Sequence, residues 1–540
     1  MGVLSFLAIP FLALPGQRVM GTGPDAILLP GGVLRMTVEG QMDAWNSTFG
    51  SDLSGAPLAT TIPLGAPFSS DNLGAEQVGG LSQLETRLRA LTGLDALKLS
   101  LGDVRLRMEA RRSSIPVRFE LGVGRRLQLS AMVPYVQTKV EMAAVVNRTG
   151  MNGNVGLNPV GSDPSLATGN ATLVNQLRAS ADALDTALGA CATAPDAPAC
   201  ANPDVARATN AAARAFADEV AAIYGLPDEG GAPLVPRVGS EAAKAVADRI
   251  AALRDSYDAL GIGGIGADVG PNNASQPLTG ATFGTALDAL GVTRPGNSTS
   301  YGIGDIELGA RVLLFDGFQG DLERATKPTG FTARASLDGL VRLGTGKPAR
   351  ADDLLNVGTG DGQMDVEIGA VADLIFGRRF WASAAVRYGI QMAGEQDIRV
   401  PQTAEESYVS DENVTRLRRD PGDYVELALI PRVSLGDFVS LSGSYRFRSQ
   451  GSDVLEVISG QPDVIPQSLD LIARRGEGTE HRVGLGLTVS TISAYAAGRI
   501  GLPLDISYVH SRSVAGSGMG TPKLTRDEVL LRIYLSAFGR

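Results

Sequence analysis

The feature that most constrains this chain is an apolar/polar alternation of period two, held over about ten residues at a time and repeated along most of its length. Leu34, Met36, Val38, Met42 and Ala44 share one face, and Arg35, Thr37, Glu39, Gln41 and Asp43 the other, because successive side chains of an extended strand point to opposite sides. The same arithmetic opposes Val117, Phe119, Leu121 and Val123 to Arg118 and Glu120, and Leu127, Leu129, Ala131, Val133 and Tyr135 to Gln128 and Ser130. It continues with Ile306–Leu314 against Asp305, Glu307 and Arg311, with Phe331–Leu343 against Arg334 and Asp338, and with Met364–Leu374 against Asp365, Glu367 and Asp373. In the second half Val386, Tyr388 and Ile390 oppose Arg387. Val425, Leu427, Leu429 and Val433 oppose Glu426 and Arg432, and Val439, Leu441, Tyr445 and Phe447 oppose Arg446 and Arg448. Val483–Val489, Leu502–Val509 and Val529–Ala537 complete the set.

The count is twelve if Val104–Val123 runs as one strand. Its apolar parity flips from even to odd near Arg112–Ser114, and the even strand number of single-chain barrels favours the merged strand.

A sandwich core would not tolerate so many charges on the inner faces of its strands, whereas a hydrated lumen does. The connections agree: short turns at 124–126, 377–379 and 435–437 alternate with long segments at 46–97, 147–301, 393–421 and 451–479, the asymmetry of outer-membrane barrels. No stretch reaches the roughly 18 apolar residues of a membrane helix. With 48 Lys+Arg against 58 Asp+Glu, the net charge of −10 argues against nucleic acid as a partner. The predicted fold is therefore all-β: a transmembrane antiparallel up-and-down β-barrel of about 12 strands, with an α-helical insertion in an extracellular loop. Residues 32–146 supply the N-terminal strands with a long loop at 46–97, 147–301 the insertion, and 302–540 the remaining strands.

Residues 1–17 (MGVLSFLAIPFLALPGQ) have the apolar core of a signal peptide but no Lys or Arg before it, so the export signal is atypical. Within the insertion Leu173, Leu177, Ala181, Leu184 and Leu188 form one helical stripe, and Ala212, Phe216, Val220 and Tyr224 another. A third helix runs from Glu241 to Leu260, and Leu81–Leu91 reads as a helix in the first long loop. Cys191 and Cys200 are the two cysteines; in an exported chain they predict a disulfide, and no histidine nearby supports a metal site.

FELGVGRRLQLSAMVPYV (119–136), YGIGDIELGARVLL (301–314) and LVRLGTGKPARADD (340–353) followed by NVGTGDGQMDVEIGAVADLIFGRRFWASAAVRYGI (356–390) resemble motifs of an outer-membrane beta-barrel transporter family associated with the meta-pathway of phenol degradation. The resemblance spans 119–146 and 301–540; the insertion and the first loop lie outside it. It implies a porin-like barrel of about twelve strands in the bacterial outer membrane that passes small, hydrophobic or aromatic molecules. Its partners would be outer-membrane lipid, a small-molecule solute and the barrel-assembly machinery. That machinery reads a terminal aromatic residue, and here Phe538 is followed by Gly539 and Arg540, an imperfect signal.

Chemistry is sparse. GTGK (344–347) hints at a phosphate loop, but Val341 stands where the first glycine belongs and Pro348 where Ser/Thr would meet magnesium. Asp352, Asp353, Asp361 and Asp365 could gather calcium or be solvated loop acids. His481 and His510 should reach one external rim, where a hydrolase would need a carboxylate or hydroxyl beside them. Glu480 and Ser511, their chain neighbours, point to opposite faces. No catalytic residue, metal or cofactor is assigned.

The inward charges are the candidate site. Arg35, Glu39, Arg118, Glu120, Asp305, Glu307, Arg311, Arg334, Asp338, Asp365, Glu367, Arg387, Glu426, Arg432, Arg446, Arg448 and Arg482 should line one lumen, as a selective constriction or as bracing ion pairs. The functional expectation is a channel for passive uptake of small solutes under a helical cap. The alternatives are a structural or adhesive barrel with a plugged lumen and a rim hydrolase.

Overall fold

A computed structural model of the chain describes residues 23–50, 60–148, 153–272, 275–319, 328–459, 466–496 and 498–536. Its signature is a closed 12-strand antiparallel barrel. The strands are β1 (Val33–Trp45), β2 (Val104–Val123), β3 (Leu127–Val146), β4 (Ile306–Asp316), β5 (Phe331–Leu343), β6 (Asp365–Phe376), β7 (Phe380–Gln391), β8 (Tyr424–Ser434), β9 (Val439–Gln450), β10 (Gly478–Ser490), β11 (Leu504–Pro522) and β12 (Thr525–Ser536). Each pairs with its sequence neighbour, and β12 closes on β1 from Val33↔Ser536 to Ala44↔Thr525. No sheet edge is left open in the wall, the condition for crossing a bilayer with strands. No described helix is long and apolar enough to cross one.

The outer surface confirms which solvent the wall meets. Leu129, Leu308, Val312, Ile368, Val386, Leu429, Leu485 and Val529 are exposed on it. Phe315, Phe331, Phe376, Phe380 and Phe438 ring the end with the short turns, and Phe376 lies 5.1 Å from Phe331 and 5.6 Å from Phe380 between ring centroids. Tyr135, Tyr388, Tyr445 and Tyr508 are exposed toward the other end. An apolar band between two aromatic girdles is the lipid-facing belt of an outer-membrane barrel, and the protein is one.

The parity flip in β2 is the edge of that belt, and Val104–Val123 is one continuous strand of 20 residues. Its even-numbered residues face inward throughout: Val104, Leu106, Ala110, Ser114 and Glu120 are all buried. Below Ile115 the inside is polar and the outside greasy; above it the inside is apolar and the outside carries Arg105, Arg107 and Arg111. β3 does the same, with inward Val136 and Val140 against outward Gln137 and Lys139. These two strands leave the membrane, and beyond it their inner face supports protein while their outer face meets water.

What they support is the helical insertion. Its helices are α1 (Leu81–Thr92) from the first loop, then α2 (Ala167–Gly189), α3 (Pro203–Tyr224), α4 (Glu241–Ala259) and α5 (Gly280–Ala289). Leu173, Val174, Leu177 and Leu184 of α2 share one core with Ala213, Phe216, Ala217 and Val220 of α3, with α1, and with Val104 and Leu106 of β2. Asn202 and Ser240 cap α3 and α4 by accepting from the backbone N–H of Val205 and Ala243. Cys191 and Cys200 form a disulfide, Cα–Cα 5.5 Å, between α2 and α3.

Among the elements that escaped the sequence reading are the helix α5 and a small outer sheet of Gly394–Arg399, Val414–Asp420 and Val454–Ser459. The segments are short, and this sheet's partners come from two different loops, so no local period announces it. Residues 1–17 and Phe538 lie outside the described residues.

Tyr408 fastens three loops. It is fully buried, its hydroxyl donates to the carbonyl of Phe68 (2.8 Å), and its ring meets those of Phe68 and Phe283 edge-on. Tyr408→Ala is expected to cost the cap about 3–5 kcal/mol, as for other buried aromatics. Limited proteolysis should show it: earlier cleavage within 160–290 with the barrel fragment intact.

Candidate functional site

The lumen is not empty at the end that carries the short turns. Residues 23–31, which precede β1, enter the bore and cross it. Ala26 N–H donates to Asp373 Oδ2 of β6 (3.0 Å), and Leu29 N–H to Gln128 Oε1 of β3 (3.0 Å). Arg432 Nη2 of β8 donates to the Pro24 carbonyl (3.2 Å), and Arg311 Nη1 of β4 to the Ile27 carbonyl (3.4 Å). β3 and β8 stand on roughly opposite sides of the ring, five strands apart in its order, so the segment spans the bore. Asp25, Ala26, Ile27 and Leu29 are buried there. Small wall residues make room for it: Ala26 packs on Val371, Ala385 and Ala428.

Charges at this level are paired. Arg35 grips Glu120 with two bonds, Nε–Oε2 at 2.5 Å and Nη2–Oε1 at 2.7 Å, and Gln128 Nε2 donates to the same Oε1 at 3.0 Å. Thus Gln128 holds the plug with one end and the Arg35–Glu120 pair with the other. Arg311 Nε donates to Asp338 at 2.5 Å, and Asp25 lies 4.0 Å from Arg311. Asp373 accepts from Ser383 Oγ (2.6 Å), whose oxygen accepts from Arg432 (2.5 Å). Arg334 and Arg432 both lie over the Trp381 ring, at 5.9 and 5.5 Å.

Above the plug a cavity of about 770 Å³ opens. Arg112, Arg118, Arg311, Arg342, Arg387, Arg446, Arg448 and Arg526 line it, with Glu39, Glu120, Asp305, Glu307, Asp338 and Glu367. Arg342 binds Glu307 (3.1 Å), Asp365 (2.9 Å) and Glu367 (2.9 Å), while Arg118 reaches Glu307 at 3.2 Å and Arg526 reaches Asp43 at 2.6 Å. Arg482 pairs with Glu480 (2.6 Å) and Glu426 sits between Arg387 and Arg448 in register. The strand pattern missed Arg112, which falls at the parity flip, and Arg526; it put Arg342 on the inner face of its strand but not among the site residues, since its role depends on neighbours across the sheet. It missed the plug entirely, since residues 23–31 carry no period.

The glycine-rich stretch at 344–362 folds inward as one wall of this cavity. Asp305 Oδ1 accepts from Gly346 N–H (2.8 Å) and its Oδ2 from Asp361 N–H (3.2 Å), and the Thr138 hydroxyl donates to the Gly358 carbonyl (2.9 Å). A Cβ on Gly346 would meet Gly360 Cα at 2.6 Å, so glycine serves here for close backbone approach. The acids Asp352, Asp353, Asp361 and Asp365 are dispersed. Asp352 meets Arg350 (3.0 Å), Asp353 accepts from Ser298 (2.6 Å), Asp361 accepts from Gln363 N–H (3.2 Å), and Asp365 is held by Arg342.

Both histidines lie on the outside of the wall. Nδ1 of His481 is 2.8 Å from the Tyr445 hydroxyl, and Nδ1 of His510 is 2.9 Å from Asp527 Oδ1, which also accepts from Tyr508 (2.7 Å). The carboxylate that a rim hydrolase requires is therefore present. Ser511, however, is buried on the opposite face of β11, as the alternation of a strand dictates.

Outside the membrane, Glu406 is buried beneath the cap, where Gly79 leaves room for it, and accepts from Gln402 N–H at 2.5 Å. Burial pushes its carboxyl above the usual range. The fold thus favours the neutral form, so cap stability is greatest below the unfolded group's pKa, falls as pH rises toward the raised folded value, and then levels off. Glu406→Gln should match the parent near pH 4 and exceed it in thermal midpoint at pH 8. Asp411 goes the other way: although burial would raise it, hydrogen bonds from Thr293 and Arg399 hold it low.

No protein-family model matches the chain and no curated relative matches its sequence. Among solved structures, an outer membrane channel from Pseudomonas putida F1 is similar at 9% identity and a TM-score of 0.41, covering 95% of this chain and 99% of that one. The translocator domain of the autotransporter NalP from Neisseria meningitidis is similar at 9% identity and a TM-score of 0.26, over 94% of this chain and 89% of that one. A FadL homologue from Pseudomonas aeruginosa is similar at 9% identity and a TM-score of 0.24, over 94% and 90%.

Proposed function

We propose that this barrel is a passive conduit of the outer membrane. A small solute enters beneath the helical cap, is held in the charged chamber, and reaches the periplasm when residues 23–31 leave the bore. The observation that carries this reading is the chamber itself, about 770 Å³, within the roughly 300–1,000 Å³ of small-molecule sites. Its floor is a segment tied by side-chain-to-backbone hydrogen bonds that can be exchanged for water. The motif resemblance adds aromatic or otherwise apolar organic bodies to the solutes considered, and assigns the chain to the phenol-associated transporter family. In this reading the seventeen inward charges read from the strand pattern are chamber and plug residues, the helical insertion governs access from outside, and the barrel-assembly machinery inserts the chain. It is not an enzyme and needs no cofactor.

One observation favours a second reading, a plugged structural barrel. The Arg35–Glu120–Gln128 and Arg342 clusters brace the wall as well as they would line a pore. Planar-bilayer recording on the chain with and without residues 23–31 separates the two. Ion flow in the shortened chain supports the conduit; silence from folded, shortened protein overturns it.

A further inference from the structure

The chamber's charges are not all used. Arg118, Arg311, Arg342 and Arg526 have carboxylate partners. Among the described residues, Arg387, Arg446 and Arg112 form no ion pair and no hydrogen bond, although each lines the chamber. Arg448 reaches only Gln450 (3.1 Å) and the face of Tyr424 (3.8 Å). Three of the four belong to one side of the chamber. Arg446 and Arg448 are two apart on β9, about 7 Å along the strand. Arg387 sits on β7 in the same rung as Arg448, two strands or about 10 Å away.

The residues beside them are small. Gly369 is the rung neighbour of Arg387, and Ala428 that of Arg446. The carboxylates facing this group are Glu426, in the rung between Arg387 and Arg448, Glu528, which shares a recess with Arg446, and across the chamber Glu39 and Glu367, the last already held by Arg342. None of them closes on Arg387 or Arg446.

Unpaired guanidiniums in a walled cavity keep several N–H donors each, fixed in a plane that suits an oxyanion. Resting on the reading of the lumen as a solute chamber, we propose that the chamber takes organic anions. The carboxylate or equivalent oxyanion is received by Arg387, Arg446 and Arg448, and the organic body lies against the inward loop at Pro348–Gly360. The plug sits directly below this place, and Gly23 and Arg446 share a small recess with Ile430.

The test is calorimetric titration of the full-length chain in detergent with benzoate, benzyl alcohol and inorganic phosphate. Benzoate is expected to bind saturably, benzyl alcohol at least about tenfold more weakly, the factor that one lost charge-assisted contact yields. Arg387→Gln/Arg446→Gln should weaken benzoate by about tenfold or more. Arg512→Gln, on the outer face, should leave it unchanged, and Glu39→Gln should tighten it. Equal binding of benzoate and benzyl alcohol, or no effect of the double variant and of Glu39→Gln, overturns the proposal. Tighter binding of phosphate than of benzoate overturns the organic body and keeps the oxyanion site. If the double variant fails to fold, Glu39→Gln still decides. Benzoate binding in a chain that stays silent after loss of 23–31 would sink the conduit and leave this site standing. Conduction without any preference for benzoate over benzyl alcohol would do the reverse.

Discussion

Removing residues 23–31 is expected to turn a protein that is shut almost all the time into one that conducts steadily. Among the described residues, four side-chain-to-backbone hydrogen bonds hold the segment across the bore, and at a net of about 1 kcal/mol each they leave it displaced roughly 0.1% of the time. Deletion should therefore raise the time-averaged current by about a thousandfold, with the intact chain showing rare, brief openings. Burial of Ala26 and Leu29 adds to the closed state, so the estimate is a lower bound on the contrast. Asp373→Ala and Gln128→Ala each remove one tie, and each should lengthen openings without changing their amplitude. An intact chain that conducts as freely as the shortened one would show that the segment does not close the bore.

The second large effect is expected at Glu120. Its carboxylate holds Arg35 by two short bonds and also fixes Gln128. Glu120→Ala leaves the Arg35 guanidinium buried without its principal partner, a change that costs about 3–5 kcal/mol in comparable buried pairs. The midpoint of urea unfolding should drop accordingly. Arg35→Leu/Glu120→Leu, which removes both charges and keeps volume, should recover most of the loss. Because Gln128 carries Leu29 N–H, the single variant should also flicker open in bilayers, whereas a purely structural role would lower stability with no current. A double variant no better than the single one would show that the pair is not what braces this level.

The strand pattern was legible because the bilayer imposes it. Lipid outside and water or charge inside force period two onto every strand, so Leu129 and Gln128, or Leu429 and Glu426, declare their faces without any knowledge of neighbours. Even the irregularity at Arg112–Ser114 carried information, though its meaning became clear only in three dimensions. The backbone alternation never breaks there. The solvents exchange sides, because above Ile115 the inner face meets α1 to α5 instead of water and the outer face meets water instead of lipid. The cap helices were legible for a similar reason, as Leu173, Leu177, Ala181 and Leu184 repeat at helical spacing on a buried face.

Partnerships were not legible. A residue type on the inner face does not say whether it is spent in an ion pair, and Arg342, bound to three carboxylates, looks in sequence like Arg446, bound to none. The short outer sheet joins segments from two different loops, and Tyr408's place between Phe68 and Phe283 joins segments more than a hundred residues apart. Nothing in a local window encodes them.

The sequence by itself determined a membrane barrel of twelve strands, its charged interior and its helical insertion, because each follows from the solvent a side chain must meet. Tertiary structure alone decided that residues 23–31 turn back into the bore, that the loop at 344–362 folds inward on Asp305, and that Arg387 and Arg446 keep free donors beside a chamber. These depend on which groups from distant strands come within hydrogen-bond reach, and that distance is set by register and closure of the whole sheet.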